Sequence, residues 1–245
     1  MDYLYPLLPE SFEELVGSDV SAKMMSHASK CYGDDKRIKF KVLDIGCENI
    51  PKQLTERFDH LTSFYCLQWV QNQLKMLQNI YQLLRSDGGD CLLTFPASHM
   101  FVYDVYKSLG ESPKWSKYIS LKKNICSPYQ NSADAASEFG QLLKQAGFVH
   151  FKVDILNEVY TFESPNTLRE FVKGVCPYLE FMPVELHEDF LDDLIDDAQS
   201  LNLNSSKDKP EAITFGYKLL VAYARKPARL LKSALSESKQ GKSIN

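Results

Sequence analysis

Residues 58–95 read FDHLTSFYCLQWVQNQLKMLQNIYQLLRSDGGDCLLTF, and this stretch decides the fold class. Its first ten residues, 58–67, form a largely apolar run that is typical of a strand. Residues 70–84 then place apolar side chains at helical spacing, and Gly88 and Gly89 end that helix. Residues 91–95 form a second strand with almost no polar side chain. Nearly continuous apolar strands joined by a helix belong in a parallel sheet that helices cover on both faces.

The same alternation of strand and helix is present on the N-terminal side of this stretch. A short apolar run at 15–20 contains Asp19 near its end, and Ser21 is placed to cap a helix over 22–32. A further strand-like run covers 38–45. The order strand, helix, strand, strand, helix, strand predicts an α/β fold built on an open, doubly wound, mostly parallel sheet.

The second half of the chain is less regular but still alternates. Residues 99–131 are rich in aromatic side chains and predict a helical cover, with ordinary core packing as the alternative for any one ring. A helix closed by Gly147 is predicted at 133–145. Strands are predicted at 148–162 and 213–224, and helices at 167–175 and 185–201. A polar loop is expected at 205–210.

We therefore predict a single domain over residues 1–226, with helical cover at 99–131 and 165–202. Residues 227–245 carry Lys and Ser with little apolar periodicity, which predicts a disordered tail.

Composition and charge exclude several classes of function. The 245 residues carry 28 Lys and Arg against 32 Asp and Glu, a net charge of -4, so the broad basic excess that binds a nucleic acid backbone is lacking. No apolar run approaches the roughly 18 residues of a membrane span, and the N-terminus has no signal-peptide pattern. The six cysteines do not pair as CxxC and the five histidines are scattered, so we expect buried reduced thiols, a cytoplasmic protein and no metal site.

The segment at 42–47 resembles the start of a nucleotide-binding loop but lacks its glycines. Gly46 is followed by Cys47 and no second glycine, and no acid stands at a strand end about 20 residues later. Asp19 and Asp44 fit better, because each follows a predicted strand. Asp19 is suited to accept both hydroxyls of a ribose, and Asp44 to accept from an adenine amino group. The alternative for each is a carboxylate that only caps a helix or a turn.

Three segments carry a more specific resemblance: LVGSDVSAKMM at 15–25, FKVLDIGCENIP at 40–51 and FDHLTSFYCLQWVQN at 58–72. They resemble the class I S-adenosylmethionine-dependent methyltransferases, which have a Rossmann-like fold, and among these the insect juvenile hormone acid methyltransferases. The resemblance extends from about residue 4 to 226, and FYCLxWVQ is its most specific part. It implies methyl transfer from S-adenosyl-L-methionine to the carboxylate of farnesoic acid or juvenile hormone acid, a small terpenoid substrate.

The resemblance also implies a role for individual residues. Asp19 would hold the ribose hydroxyls, Val20 would pack on adenine, and Asp44 and Ile45 would bracket the adenine edge. The strand that ends in Ser63, Phe64 and Tyr65 would turn its backbone to the methionine moiety of the cofactor.

Trp69 would line the junction of cofactor and substrate, beside Gln68. Methyl transfer to a carboxylate needs no general base, because the nucleophile is already ionised near neutral pH. Alignment of the reacting atoms and exclusion of water would then carry the catalysis.

Two departures from the family pattern leave alternatives open. Gln68 stands where the family has His; it can donate a hydrogen bond to a carboxylate but carries no positive charge. The family's N-terminal helix, first strand and glycine-rich loop have no counterpart here, so we expect an incomplete or truncated chain that binds the cofactor poorly. The alternatives are a non-catalytic paralogue that binds an isoprenoid or a protein partner, and a methyltransferase for another small molecule. The preferred acid and the oligomeric state stay open.

Overall fold

The computed structural model describes residues 4–98, 100–120, 126–201 and 211–228. Its contacts divide the chain into two compact units, Met1–Glu48 and Asn49–Asn245. The predicted loop at 205–210 lies outside the described residues. Of the predicted tail at 227–245, only the first two residues are described. The prediction of one domain over 1–226 stays a prediction. No helix in the described part of the chain is both long and apolar enough to cross a bilayer.

The smaller unit is a strand, a helix and a second strand. Its elements are β1 (Leu15–Asp19), α1 (Ala22–Tyr32) and β2 (Ile38–Val42). β1 and β2 pair in parallel, with Asp19 opposite Val42 at the carboxyl end. α1 begins where predicted, because Ser21 is its N-cap and the Ser21 side chain accepts a hydrogen bond from the Met24 amide.

The larger unit is a four-stranded sheet with helices. Its strands are β3 (His60–Phe64), β4 (Gly89–Ser98), β5 (Val149–Phe162) and β6 (Ile213–Lys226). Its helices are α2 (Gln73–Leu83), α3 (Met100–Glu111), α4 (Ser116–Ile119), α5 (Ala135–Ala146), α6 (Pro165–Val175) and α7 (His187–Leu201). The strand order is β3-β4-β6-β5, in which β3 and β4 are parallel and β6 runs antiparallel to both of its neighbours.

Two strand ends differ from the sequence prediction, and local geometry explains each. The predicted strand at 58–67 stops at Phe64, because Tyr65 has a left-handed φ of 52° and the chain then forms a short 3-10 helix over Leu67–Trp69. The predicted strand at 38–45 stops at Val42, since the Asp44 side chain accepts from the Gly46 amide and turns the chain.

The helix predicted over 70–84 begins at Gln73, since Asn72 caps it by accepting from the Lys75 amide. Gly147 closes α5 as predicted, with a φ of 100° that only glycine adopts without strain.

The core of the larger unit has two parts. α2 and α5 cover β4 and its neighbours with fully buried apolar side chains, among them Leu77, Ile80, Phe139 and Leu143. A second cluster joins α3, α6 and α7 and contains Trp115 and Phe190, whose rings meet edge to face at 5.1 Å.

The prediction of buried thiols is only partly right. Of the six free cysteines only Cys91 is buried, in β4, where burial raises the pKa of its thiol to about 12. Cys31 and Cys66 are exposed. Cys66 follows the turn at Tyr65 that ends β3 early, so it lies outside the sheet.

Lys226 is a charged residue in the core, only 4% exposed at the end of β6. Its ammonium group donates to the carbonyl oxygens of Tyr81 at 2.9 Å and Leu84 at 2.7 Å, and it lies 4.5 Å from the Tyr81 ring centroid. It therefore satisfies carbonyl groups at the C-terminus of α2, where a cation is favoured.

We expect Lys226→Met to lower the free energy of unfolding by about 1–3 kcal/mol, because two buried carbonyl groups lose their donor while the apolar stem is kept. Urea denaturation measures this change. Lys218→Met, on an exposed lysine of the same strand, is the matched control. Equal stability of the two variants would contradict a structural role for Lys226.

Candidate active site

The two predicted adenosine-binding carboxylates lie side by side in the smaller unit. The Leu43 amide donates to the Asp19 carbonyl oxygen at 3.0 Å, which ties the ends of β1 and β2 together. One oxygen of the Asp19 side chain accepts from the Ser21 amide, and one of the Asp44 side chain from the Gly46 amide, both at 2.8 Å. Each carboxylate therefore stabilises a turn, which is the role that the alternative interpretation gives it. No described residue donates to its other oxygen.

Apolar side chains flank these carboxylates. Val20 is 68% exposed beside Asp19, and Ile45 is half-buried beside Asp44. An acceptor oxygen next to an apolar surface suits a nucleoside, whose ribose donates hydrogen bonds and whose base presents a flat apolar face.

The larger unit contains a cavity of about 560 Å³, within the range of small-molecule sites. It lies where β3 and β4 end, against β5, β6, α3 and α6. Aromatic side chains make up most of its wall: Tyr65, Trp69, Tyr103, Tyr106, Tyr160, Phe162, Phe171, Phe215 and Tyr217. The described residues of the wall include polar groups but no charged one.

Trp69 and Gln68 both line this cavity, in the 3-10 helix that follows β3. Trp69 is 48% exposed, so its ring is a surface of the cavity rather than part of the core. Gln68 is 6% exposed and its Nε2 donates to the Tyr65 carbonyl oxygen at 3.1 Å, while its buried Oε1 has no partner among the described residues. A buried amide oxygen without a donor is costly, so we expect a water or a bound molecule in the cavity to donate to it.

Gln73 fixes the segment that carries these two residues, a role that sequence reasoning missed. Its Nε2 donates to the carbonyl oxygens of Leu67 at 2.9 Å and Val70 at 2.6 Å, which flank Gln68 and Trp69. Its Oε1 accepts from the Tyr129 hydroxyl at 3.4 Å. Gln73 is 5% exposed. The sequence signal that could have indicated its role is a polar residue at the first turn of an apolar helix.

Ser63 and Phe64 are the last residues of β3 and Tyr65 follows directly, so all three lie at the carboxyl end of the strand, as the resemblance implies. The Tyr65 amide donates to the Thr94 carbonyl oxygen at 2.9 Å, so the pairing with β4 extends one residue past the strand. Phe64 is 51% and Tyr65 52% exposed. The end of this strand is therefore an open surface, next to the cavity that Tyr65 lines.

The predicted helical cover contributes to the cavity only in part. Tyr103 and Tyr106 of α3 line it, whereas Trp115 is 1% exposed and its Nε1 donates to Asp193 at 2.7 Å. The core-packing alternative thus holds for Trp115. Burial, with a contribution from Cys176, raises the pKa of the Tyr106 hydroxyl, so this wall stays uncharged.

α6 adds Phe171 and Val175 to the wall, and both are about half exposed. On the same helix Arg169 and Lys173 form ion pairs with Glu188 of α7. The hydrogen bond from Arg169, and then that from Lys173, lower the pKa of Glu188 to about 2. These contacts fix α6 on α7 and so position the cavity side of α6.

Comparison of the sequence with known proteins finds similar methyltransferases. A methyltransferase domain family matches residues 2–89. The juvenile hormone acid O-methyltransferase of Drosophila melanogaster is 48% identical over 97% of this chain and 80% of its own length. The protein of the same name from Bombyx mori is 33% identical over 92% of this chain and 80% of its own length.

Solved structures confirm the fold class. The YcgJ protein of Bacillus subtilis matches with a TM-score of 0.54 and 13% identity, over 88% of this chain and 83% of that one. A putative methyltransferase of Bacillus halodurans matches with a TM-score of 0.53 and 15% identity, over 88% and 84%. The predicted α/β, doubly wound, Rossmann-like fold is therefore confirmed.

Proposed function

Because this chain belongs to the family of juvenile hormone acid O-methyltransferases, we propose that it esterifies the carboxylate of a sesquiterpenoid acid such as farnesoic acid or juvenile hormone acid. It is a class I methyltransferase, and its methyl donor is S-adenosylmethionine. We place the reaction in the cytoplasm, since all six cysteines are free thiols, as is usual in a reducing compartment.

The observation that carries the proposal is the aromatic cavity beside Trp69. A sesquiterpenoid is a long, branched hydrocarbon with one polar end. Aromatic rings bury such a chain without requiring hydrogen bonds from it. An uncharged wall also suits a reaction in which the nucleophile is a carboxylate, because a cationic side chain would compete with the positively charged methyl donor for that anion.

The residues of this chain would act mainly by binding and alignment. We assign Asp19 and Val20 to the ribose and adenine, Asp44 and Ile45 to the adenine edge, and the end of β3 at Ser63, Phe64 and Tyr65 to the methionine moiety. The unused oxygens of both carboxylates and the exposure of Val20 and of the strand end fit these roles. S-adenosylmethionine supplies a methyl group that is activated by its positive sulfur.

Trp69 would face the reacting centre and exclude water from it. A ring at that position also attracts a cation, since the face of an indole is electron-rich. Gln68 fits as the polar group beside it, because one N–H of its amide donates to the Tyr65 carbonyl oxygen and the amide has a second N–H that can donate to a carboxylate.

The test is methyl transfer from labelled S-adenosylmethionine by the purified 245-residue chain. With S-adenosylmethionine in excess, so that weak cofactor binding does not limit the assay, we expect label in the methyl ester of farnesoic acid and none in esters of benzoic or dodecanoic acid. Equal labelling of the unrelated acids would indicate another small-molecule methyltransferase. Binding of farnesoic acid without labelling would indicate a non-catalytic isoprenoid-binding protein, and either result would contradict the proposal.

Gln73→Leu should lower kcat for methyl transfer about tenfold or more, because the carbonyl groups that flank Gln68 and Trp69 lose their common donor. The measurement is a steady-state assay beside a melting curve. Gln78→Leu, on an exposed position of the same helix, is the matched control. A Gln73→Leu enzyme with normal kcat would show that the segment keeps its geometry without this side chain.

A further inference from the structure

α6 has two apolar faces, and the core uses only one of them. Leu168 and Val172, one turn apart, are 2% and 7% exposed and belong to the buried cluster that joins α6 to α3 and α7. Phe171 and Val175, also one turn apart, line the cavity and are about half exposed. The buried pair and the ion pairs with Glu188 already fix the helix. The second pair therefore leaves apolar surface that a ligand in the cavity can cover.

Aromatic rings follow one another from Tyr65 to this surface. The Tyr217 hydroxyl lies 3.1 Å from that of Tyr65. Tyr217 and Phe215 lie on the same face of β6, two residues and therefore about 7 Å apart. The Phe215 ring stacks on Phe162 of β5 at 5.6 Å between centroids, and the Phe162 ring lies 5.2 Å from that of Phe171. The cavity wall is thus a row of rings that leads from the end of β3 to α6.

The spacing of these rings matches the repeat of a terpenoid chain. An isoprene unit adds four bonds to the main chain. An extended backbone advances about 3.3–3.6 Å for three bonds, so one isoprene unit spans about 5 Å. Each step from ring to ring is therefore close to one unit. With the carboxylate beside Trp69, the first unit lies near Tyr217, the second near Phe215 and the third between Phe162 and Phe171.

The opposite direction is unsuited to a hydrocarbon chain. A neighbouring cavity of about 410 Å³ shares Tyr103 and Gln130 with this one. Its described wall carries three charged side chains, those of Asp104, Asp134 and Lys218. A hydrocarbon that covers charged groups removes their hydration, which is costly. The far end of the chain therefore lies at α6 rather than past Tyr103.

We propose that Phe171 and Val175 bind the third isoprene unit of the acid substrate, and so determine that an acid with three units binds more tightly than an acid with two. This assignment rests on the proposed function, which places the carboxylate beside Trp69. The two residues determine specificity and take no part in the chemistry, because the reacting atoms lie at the other end of the chain.

The experiment compares farnesoic acid, which has three isoprene units, with geranic acid, which has two units and the same unsaturated carboxyl end. Quenching of tryptophan fluorescence gives both dissociation constants without turnover, since Trp69 lines the cavity. The unchanged chain should bind farnesoic acid about tenfold or more tightly than geranic acid. Phe171→Ala should weaken binding of farnesoic acid about fivefold to thirtyfold, and Val175→Ala about twofold to fivefold. Binding of geranic acid should change less than twofold in both variants.

Phe181→Ala is the matched control, because it removes an exposed phenylalanine ring that is not part of the described cavity wall. It should bind both acids as the unchanged chain does. Phe171→Leu keeps more apolar volume and is measured beside Phe171→Ala, with a melting curve of each variant. Equal weakening of both acids by the Phe171 variants would show that the ring only shapes the cavity. Unchanged binding of farnesoic acid would show that the third unit lies elsewhere, and either result overturns the assignment.

The two proposals fail in distinguishable ways. If the unchanged chain binds farnesoic acid but does not methylate it, the proposed function fails and the two dissociation constants still test the assignment to α6. If it methylates farnesoic acid but binds geranic acid equally tightly, the proposed function holds and this assignment fails. If it binds no terpenoid acid, both proposals are contradicted at the first measurement.

Discussion

Replacing Trp69 by alanine is expected to lower kcat/KM for methyl transfer to farnesoic acid about a hundredfold, while the free energy of unfolding falls by only about 1–2 kcal/mol. The first effect follows from the proposed position of the ring next to the reacting atoms, where a shift of about 1 Å costs roughly that factor. The second follows because the side chain is 48% exposed and loses about half of what a buried ring contributes.

Trp115, the other of the chain's two tryptophans, provides the matched control. It is 1% exposed and its Nε1 donates to Asp193, so Trp115→Ala should cost about 3–5 kcal/mol of stability. Its remaining folded fraction should keep a near-normal specific activity. A Trp69→Ala chain that loses stability as Trp115→Ala does, yet keeps its specific activity, would make Trp69 a core residue and remove it from the site.

The fold could be predicted from sequence wherever one local signal set an element. The Ser21 cap, the left-handed Gly147 and the apolar run at 91–95 each act within a few residues, so the sequence predicts α1, α5 and the central part of β4. The early end of β3 was missed, because a left-handed Tyr65 has no signature in a run of apolar letters. The direction of β6 could not be predicted from the sequence either, since antiparallel pairing with β4 and β5 is decided by contacts between residues distant in sequence.

The residues of the candidate site also divide into those that the sequence predicts and those that it does not. Asp19 and Asp44 follow predicted strands, and Trp69 stands in the motif FYCLxWVQ that carries the family resemblance, so the sequence is enough to propose all three. The contact between the Tyr217 and Tyr65 hydroxyl groups could not be predicted in this way, because nothing near Tyr217 in sequence shows that it meets Tyr65. The Phe171 ring was equally hidden, since an amphipathic helix does not reveal whether its apolar side chains meet a core or a cavity.

Asp19 permits a test that separates binding of the cofactor from maintenance of a turn. One side-chain oxygen accepts from the Ser21 amide at 2.8 Å, and the proposed role needs the remaining acceptor capacity for the ribose. Asp19→Asn keeps one oxygen for the turn but replaces the other with a donor, whereas Asp19→Ala removes both. The two variants should therefore differ in stability and agree in cofactor binding.

We expect both Asp19 variants to weaken S-adenosylmethionine binding by about 1.5–3 kcal/mol, roughly tenfold to a hundredfold, because charge-assisted hydrogen bonds to the ribose are lost. Only Asp19→Ala should also lower the free energy of unfolding, by about 0.5–2 kcal/mol, since it alone leaves the Ser21 amide at the start of α1 without its acceptor. Calorimetric titration and urea denaturation measure the two quantities, with Asp34→Asn as a control on an exposed acid of the same unit. If Asp19→Asn binds the cofactor normally while Asp19→Ala does not, the carboxylate serves the turn and a different residue holds the ribose.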